Sequence, residues 1–124
     1  MRNAEIAAAA GVTDDWIVRR TGIRERRVAG PDVGSAAMGA HAARAALDDA
    51  GLGADAIGLI VVATSTPDHL TPPTAAEIQA ELGATGAACF DIEAGFAGWI
   101  HALVTAAALL RGGHAEHAVV VGVD

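Results

Sequence analysis

"AIGLIVVAT", residues 56–64, decides the architecture. It is a continuous apolar run of strand length with no polar alternation, the pattern of a strand buried on both faces of a parallel sheet. Two shorter runs of the same kind follow, "AACFDI" (87–92) and "HAVVVGVD" (117–124). Between the first and second lies "TAAEIQAELG" (74–83), a helix with Gly83 at its end. Between the second and third, Phe96 to Arg111 reads as a long apolar helix stopped by Gly112 and Gly113. Ala56 to Asp124 is therefore β-α-β-α-β, which implies a parallel sheet of buried strands with helices on both faces. "STPDHLTPP" (65–73) is a loop by composition.

Upstream the chain is helical. Ser35 to Asp49 carries alanines and Leu47 near a 3.6 period, and Gly51 and Gly53 close the run. "TDDWIVRRTG" (13–22) has Thr13 as cap, two aspartates in the first turn and Gly22 past the end. "NAEIAAAAG" (3–11) has Asn3 placed to cap and Gly11 to terminate. The alanine run is read as a helix rather than a signal peptide, because Asp14 and Asp15 follow and no cleavage pattern is convincing. "IRERRVAG" (23–30) is a short strand or extended arm. The elements open on helices and close on a buried strand, so the expectation is a fragment of a larger domain, or a subunit completed by another chain.

Composition narrows the function. The 124 residues are 52% hydrophobic but only 3% aromatic, so the core must be aliphatic and rich in alanine. No apolar run approaches the roughly 18 residues of a membrane span. A net charge of −7 argues against nucleic acid as a partner. All eight basic residues are arginine, and Arg19, Arg20, Arg24, Arg26 and Arg27 cluster within nine positions. Such a patch fits a phosphate-bearing ligand or an acidic protein partner, and equally a solvated or ion-paired surface. The single cysteine, Cys89, excludes an internal disulfide and fits a reducing cytoplasm. It lies within a strand and is read as a buried, inert thiol. No His/Cys spacing resembles a zinc site. Of the five histidines only His69, in the loop after the first strand, is placed to approach a pocket. His101, five residues and about 500° of helical turn beyond Phe96, should face away from it.

"DIEAGFAGWI" (91–100) joins the second strand to the last helix. Many α/β enzymes keep a nucleophile at such a junction, because a helix N-terminus lowers a thiol pKa. Here Phe96 stands at that point.

Three stretches together resemble the β-ketoacyl-acyl-carrier-protein synthase III family of the thiolase fold. "DDWIVRRTGIRERRVA" (14–29) is similar to a signature near the family's start, through the long pattern W-I-x-x-R-T-G-I-x-x-R. "LIVVATSTPDHLTPPTAAEIQAELG" (59–83) resembles its next strand, loop and helix. "FDIEAGFAGWIHALVTAAALLRGG" with "AVVVGVD" resembles the nucleophile strand, elbow, buried central helix and following strand. The resemblance implies the N-terminal half-domain of an α/β/α fold, a partial domain over 1–124 with the first strand and the C-terminal half absent. It also implies a chemistry: a cysteine at the helix N-terminus takes an acyl group from acyl-coenzyme A, and a histidine and an asparagine of the missing half then assist condensation with malonyl-carrier protein. In the motif A-[AG]-C-[SA]-G-[FW] the nucleophile position is Phe96, which has neither lone pair nor ionisable group, so no catalytic residue is expected in this chain. Its ring would occupy the acyl end of the tunnel. Trp16 and Arg20 match positions that sandwich the adenine of coenzyme A; the alternative is that Trp16 anchors its own helix. Thr71 matches the loop that reaches the acyl channel, where a threonine leaves room for longer chains. Gly95 and Gly98 are expected to serve packing. The implied partners are acyl-coenzyme A as substrate rather than cofactor, an acyl carrier protein, and a homodimer partner or completing second chain. A non-catalytic homologue, such as a chain-length-factor-like partner subunit or a degenerate remnant, is the competing reading.

Overall fold

The structure, a computed structural model, describes residues 1–124. It divides into two compact units, Met1–Asp32 and Val33–Asp124.

The first unit holds α1 (Asn3–Ala10) and α2 (Asp14–Thr21). Thr13 caps α2 as expected, its Oγ1 accepting from the Trp16 N–H at 3.1 Å, and Gly22 ends the helix with φ +74°. Asn3 does not cap α1. The cap position is Arg2, whose N–H donates to Glu5 Oε1 at 2.7 Å. Asn3 is the first helical residue and is fully buried. Its amide nitrogen donates to Asp14 Oδ1 (2.8 Å) and to the Ile23 carbonyl (2.7 Å), and its oxygen accepts from Arg26 Nη2 (2.7 Å). A buried amide must satisfy its donors and acceptor, and here α2 and the segment after it do so with three bonds, making Asn3 the tie of the unit. Residues 23–30 form an extended arm, not a named strand. The arm makes one antiparallel bridge, Arg2 to Glu25, and Met1 and Arg26 exchange backbone hydrogen bonds.

The second unit carries α3 (Ser35–Ala50), β1 (Leu59–Ala63), α4 (Thr74–Leu82), β2 (Ala88–Ile92), α5 (Gly98–Arg111) and β3 (Ala118–Gly122). The three strands are parallel in the order β2-β1-β3, with Leu59 opposite both Ala88 and Ala118. β1 is buried at every position. Its alternate side chains feed two clusters. Ile60 and Val62 pack with Ala40, Ala43, Leu47, Ala75 and Ile78 of α3 and α4, while Leu59, Val61 and Ala63 pack with Ala102 and Ala106 of α5. Helices therefore cover both faces, as the apolar runs require.

The sequence overstated the burial of the outer elements. β2 and β3 are edge strands, each paired only with β1, and both are partly exposed. α5 buries Gly98, Ala102 and Ala106 against the sheet, and it begins at Gly98 after a single 3-10 turn, Gly95–Ala97. The alanine and glycine face explains how α5 lies so close to the sheet: a Cβ on Gly98 would stand 3.3 Å from the Ala63 Cβ. No helix is long and apolar enough to cross a membrane.

Candidate functional site

In an open parallel sheet, ligands bind beyond the carboxyl ends of the strands, where helix N-termini gather. Three helices of the second unit begin near such positions, and they differ. At α3, the Asp68 carboxylate accepts from the Ser35 and Ala36 N–H groups, both at 2.8 Å. Those two bonds, with help from neighbouring His69, hold the Asp68 carboxyl below its usual pKa. At α4, the Asp91 carboxylate accepts from the Thr74 and Ala75 N–H groups, again at 2.8 Å. At α5 no side chain caps the 3-10 turn or the helix, and no acid lies in the first turn. Its positive end is left open.

That open end borders a cleft of ≈ 310 Å³ whose lining includes Thr64, Ser65, Gly95, Phe96, Trp99 and Asp124. The cleft sits at the ends of β1 and β3. Asp124 Oδ1 accepts from the Ser65 N–H at 2.7 Å and so fixes the start of the loop after β1. Ser35 Oγ donates to the Thr66 carbonyl at 2.7 Å and fixes its next turn. Gly95 has φ +53°, and a Cβ there would meet no atom within 4 Å, so its role is the left-handed backbone of the elbow rather than close packing. Gly122 is different: a Cβ there would come within 2.8 Å of the Trp99 indole.

Phe96 is fully exposed at this mouth. It lines the rim of the cleft. His101 is exposed on α5, and His69 lines a second cleft of ≈ 310 Å³ with Thr64, Leu70, Asp91 and Glu93. Thr71 stands on the exposed loop and lines neither cleft. Cys89 is half-buried against the α3/α4 cluster, on the face of the sheet opposite to α5. Burial, and then the nearby Asp91 charge, push its thiol pKa up, the direction that suppresses thiolate.

In the first unit Arg20 lies over the Trp16 ring, its guanidinium carbon 5.5 Å from the centroid, and Trp16 is 44% exposed. The two stack on each other, so a flat base must enter by opening the pair. Arg19 is paired with Asp15 at 2.9 Å across one helical turn, and Arg26 holds Asn3. Two of the five clustered arginines are thus occupied within the fold, and with Arg20 stacked on Trp16 this leaves Arg24 and Arg27 as unpaired exposed charges.

No family model matches the chain. Individual relatives do, along its whole length. The β-ketoacyl-[acyl-carrier-protein] synthase III of Rhizobium meliloti is 48% identical over 124 residues, all of this chain and 38% of the relative. The enzyme of that name from Sphingopyxis alaskensis is 50% identical over 120 residues, 97% of this chain and 37% of the relative. Over its whole length the chain is similar to the N-terminal part of β-ketoacyl-[acyl-carrier-protein] synthase III proteins. It spans about 38% of the length of the relatives it matches. The solved 3-oxoacyl-[acyl-carrier-protein] synthase III of Aquifex aeolicus superposes with TM-score 0.83 at 38% identity, covering 98% of this chain and 39% of the other. The priming β-ketosynthase of the R1128 polyketide pathway superposes with TM-score 0.79 at 45% identity, covering 90% of this chain and 34% of the other. The α/β layering and parallel sheet are thus those of the thiolase-fold synthases.

Proposed function

We propose that this chain supplies the acyl-coenzyme A-binding part of a synthase III-like acyltransferase and that it forms no acyl thioester of its own. The reaction class is transfer of an acyl group from coenzyme A, followed by decarboxylative condensation with malonyl-carrier protein. The first step needs a thiolate to attack the thioester carbonyl and expel the coenzyme A thiolate. A helix N-terminus with free N–H groups stabilises both the attacking anion and the oxyanion. α5 offers that end uncapped. The observation that carries the proposal is that its mouth presents Phe96, while the one thiol, Cys89, lies on the other face of the sheet. A phenyl ring donates no electron pair to a carbonyl.

Trp16 and Arg20 are the proposed adenine clamp, opening to take the base between them. Thr71, exposed on the loop after β1, is the proposed lining of the acyl chain's path in the assembled protein. No resident cofactor enters. The partners are acyl-coenzyme A, an acyl carrier protein, and a second copy at the sheet edge or a completing chain, in the cytoplasm. Phe96 also favours a second reading, a non-catalytic subunit that shapes the cavity of an active synthase, as chain-length factors do.

Incubation with radiolabelled acyl-coenzyme A tests this. Saturable binding without covalent label is the expected result, and Trp16→Ala should weaken binding at least about tenfold, the loss of one stacked face. Covalent label that disappears in Cys89→Ala would overturn it. Absence of any binding by the full-length protein would leave only the second reading standing.

A further inference from the structure

α2 carries both halves of the proposed clamp, Trp16 and Arg20, and has little of its own to hold it. It is eight residues long, whereas an isolated helix needs roughly 12 to 15 to persist in water. Its one buried residue is Ile17. Both of its ends, however, are taken by the same side chain. The Asn3 amide nitrogen donates to Asp14 Oδ1 in the first turn (2.8 Å) and to the Ile23 carbonyl just past Gly22 (2.7 Å). The Ile23 peptide is in turn fixed to the helix. Its N–H donates to Thr21 Oγ1 (3.0 Å), and that hydroxyl donates to the Ile17 carbonyl (2.7 Å). Asn3 is fully buried, and its oxygen accepts from Arg26 Nη2 (2.7 Å), while Arg26 Nη1 is buried without a partner. The amide cannot turn over without setting its own N–H groups against a guanidinium, so its donors stay directed at α2.

We propose that Asn3 is a positioning residue for the Trp16–Arg20 pair. By holding both ends of α2 it fixes the register in which indole and guanidinium face each other, with 5.5 Å from guanidinium carbon to ring centroid. The inference rests on the reading of that pair as a base clamp. Trp16 and Arg20 stand four residues apart, about one turn of helix. Unwinding of the first turn of α2 displaces Trp16, and unwinding of the last displaces Arg20. A pair held by Ile17 alone would be disassembled for much of the time, and apparent affinity falls in proportion to the assembled fraction.

Asn3→Asp is the selective test. It keeps the shape and the acceptor for Arg26, but it replaces both donors to α2 by a carboxylate facing Asp14 and the Ile23 carbonyl. Adding Asp14→Asn supplies a donor from the other side. The readouts are coenzyme A titration and the 19F spectrum of protein labelled with 5-fluorotryptophan. Two resonances arise, and that of Trp16 is the one lost in Trp16→Phe. Asn3→Asp should move the Trp16 resonance toward its unfolded position and leave that of Trp99 in place. It should also raise the Kd for coenzyme A at least about tenfold, as when under a tenth of the molecules stay assembled. Asp14→Asn alone should change neither, and added to Asn3→Asp it should recover most of both. If Asn3→Asp fails to fold, both resonances move. Asp14→Ala, at an exposed position where it breaks one bond, should then give the local shift in smaller measure. A Trp16 resonance unmoved by both Asn3→Asp and Asp14→Ala overturns the proposal. So does a shift in folded Asn3→Asp that Asp14→Asn fails to recover. A wild-type protein indifferent to coenzyme A, whose Trp16 resonance still follows Asn3, would remove the clamp reading and uphold the positioning role.

Discussion

Two helix N-termini of the sheet unit are closed by carboxylates and one is open. Asp68 takes the first N–H groups of α3, and Asp91 takes those of α4. α5 has neither cap nor first-turn acid, and it borders a cleft. The dipoles of the three helices are alike in kind; what differs is whether the fold supplies the anion. Where it does, the helix end is a joint that ties a loop or strand to the helix layer. Where it does not, the end is available to an outside anion. Phe96 occupies that place without providing the anion or the nucleophile.

The comparison can be broken at the closed ends first. Asp91→Ala strips a charged acceptor from two N–H groups, those of buried Thr74 and Ala75. Unfolding stability should fall by about 3 kcal/mol, read from urea midpoints. A loss below about 0.5 kcal/mol would mean that water replaces the carboxylate without cost. Asp68 is on an exposed loop, so its effect should be smaller and should show in acid. Its folded pKa is depressed, so its contribution is present above the ordinary carboxylate pKa of about 3.9 and is lost as pH falls through the lower folded value. Between about pH 5 and pH 2, Asp68→Asn should therefore lose less stability than the wild type, because an amide keeps one acceptor but has no charge to lose. Equal slopes for the two proteins would remove Asp68 from the acid response. The smallest change is expected at the open end. Ala97→Asp places a carboxylate against the unopposed dipole at an exposed position, and should stabilise by about 0.5 kcal/mol in low salt, fading as salt is raised. Destabilisation there would show that the mouth of α5 is not electropositive.

The layering was readable because it follows from side-chain periodicity. The run from Leu59 to Ala63 is apolar at every position, and only a central strand has use for that. Which strands are edges was not readable: "AVVVG" in β3 looks as buried as β1, and its exposure depends on having a neighbour on one side only. The caps were hidden for another reason. Capping patterns are sought within three or four residues, whereas Asp68 reaches α3 from 33 positions away and Asp91 reaches α4 from 16 or 17. Asn3 misled by the same logic, since a residue type suited to local capping was used for three long-range bonds. At the elbow, Phe96 lies in the 3-10 turn Gly95–Ala97 that leads into α5. The direction of its ring is set by the backbone of Gly95 and the 3-10 turn, which no periodicity encodes.

The central claim is that α5 keeps the electrostatic frame of a nucleophile elbow and lacks only the sulfur. The most direct test is the thiol titration of Phe96→Cys in a Cys89→Ala background, followed by thiolate absorbance and by alkylation rate against pH. An open helix N-terminus should bring the apparent pKa below the ordinary value of about 8.5, toward about 7, with covalent uptake of acyl from acyl-coenzyme A. A pKa at or above about 8.5 would contradict the claim, and would mean that the mouth of α5 offers a thiolate no more than water does.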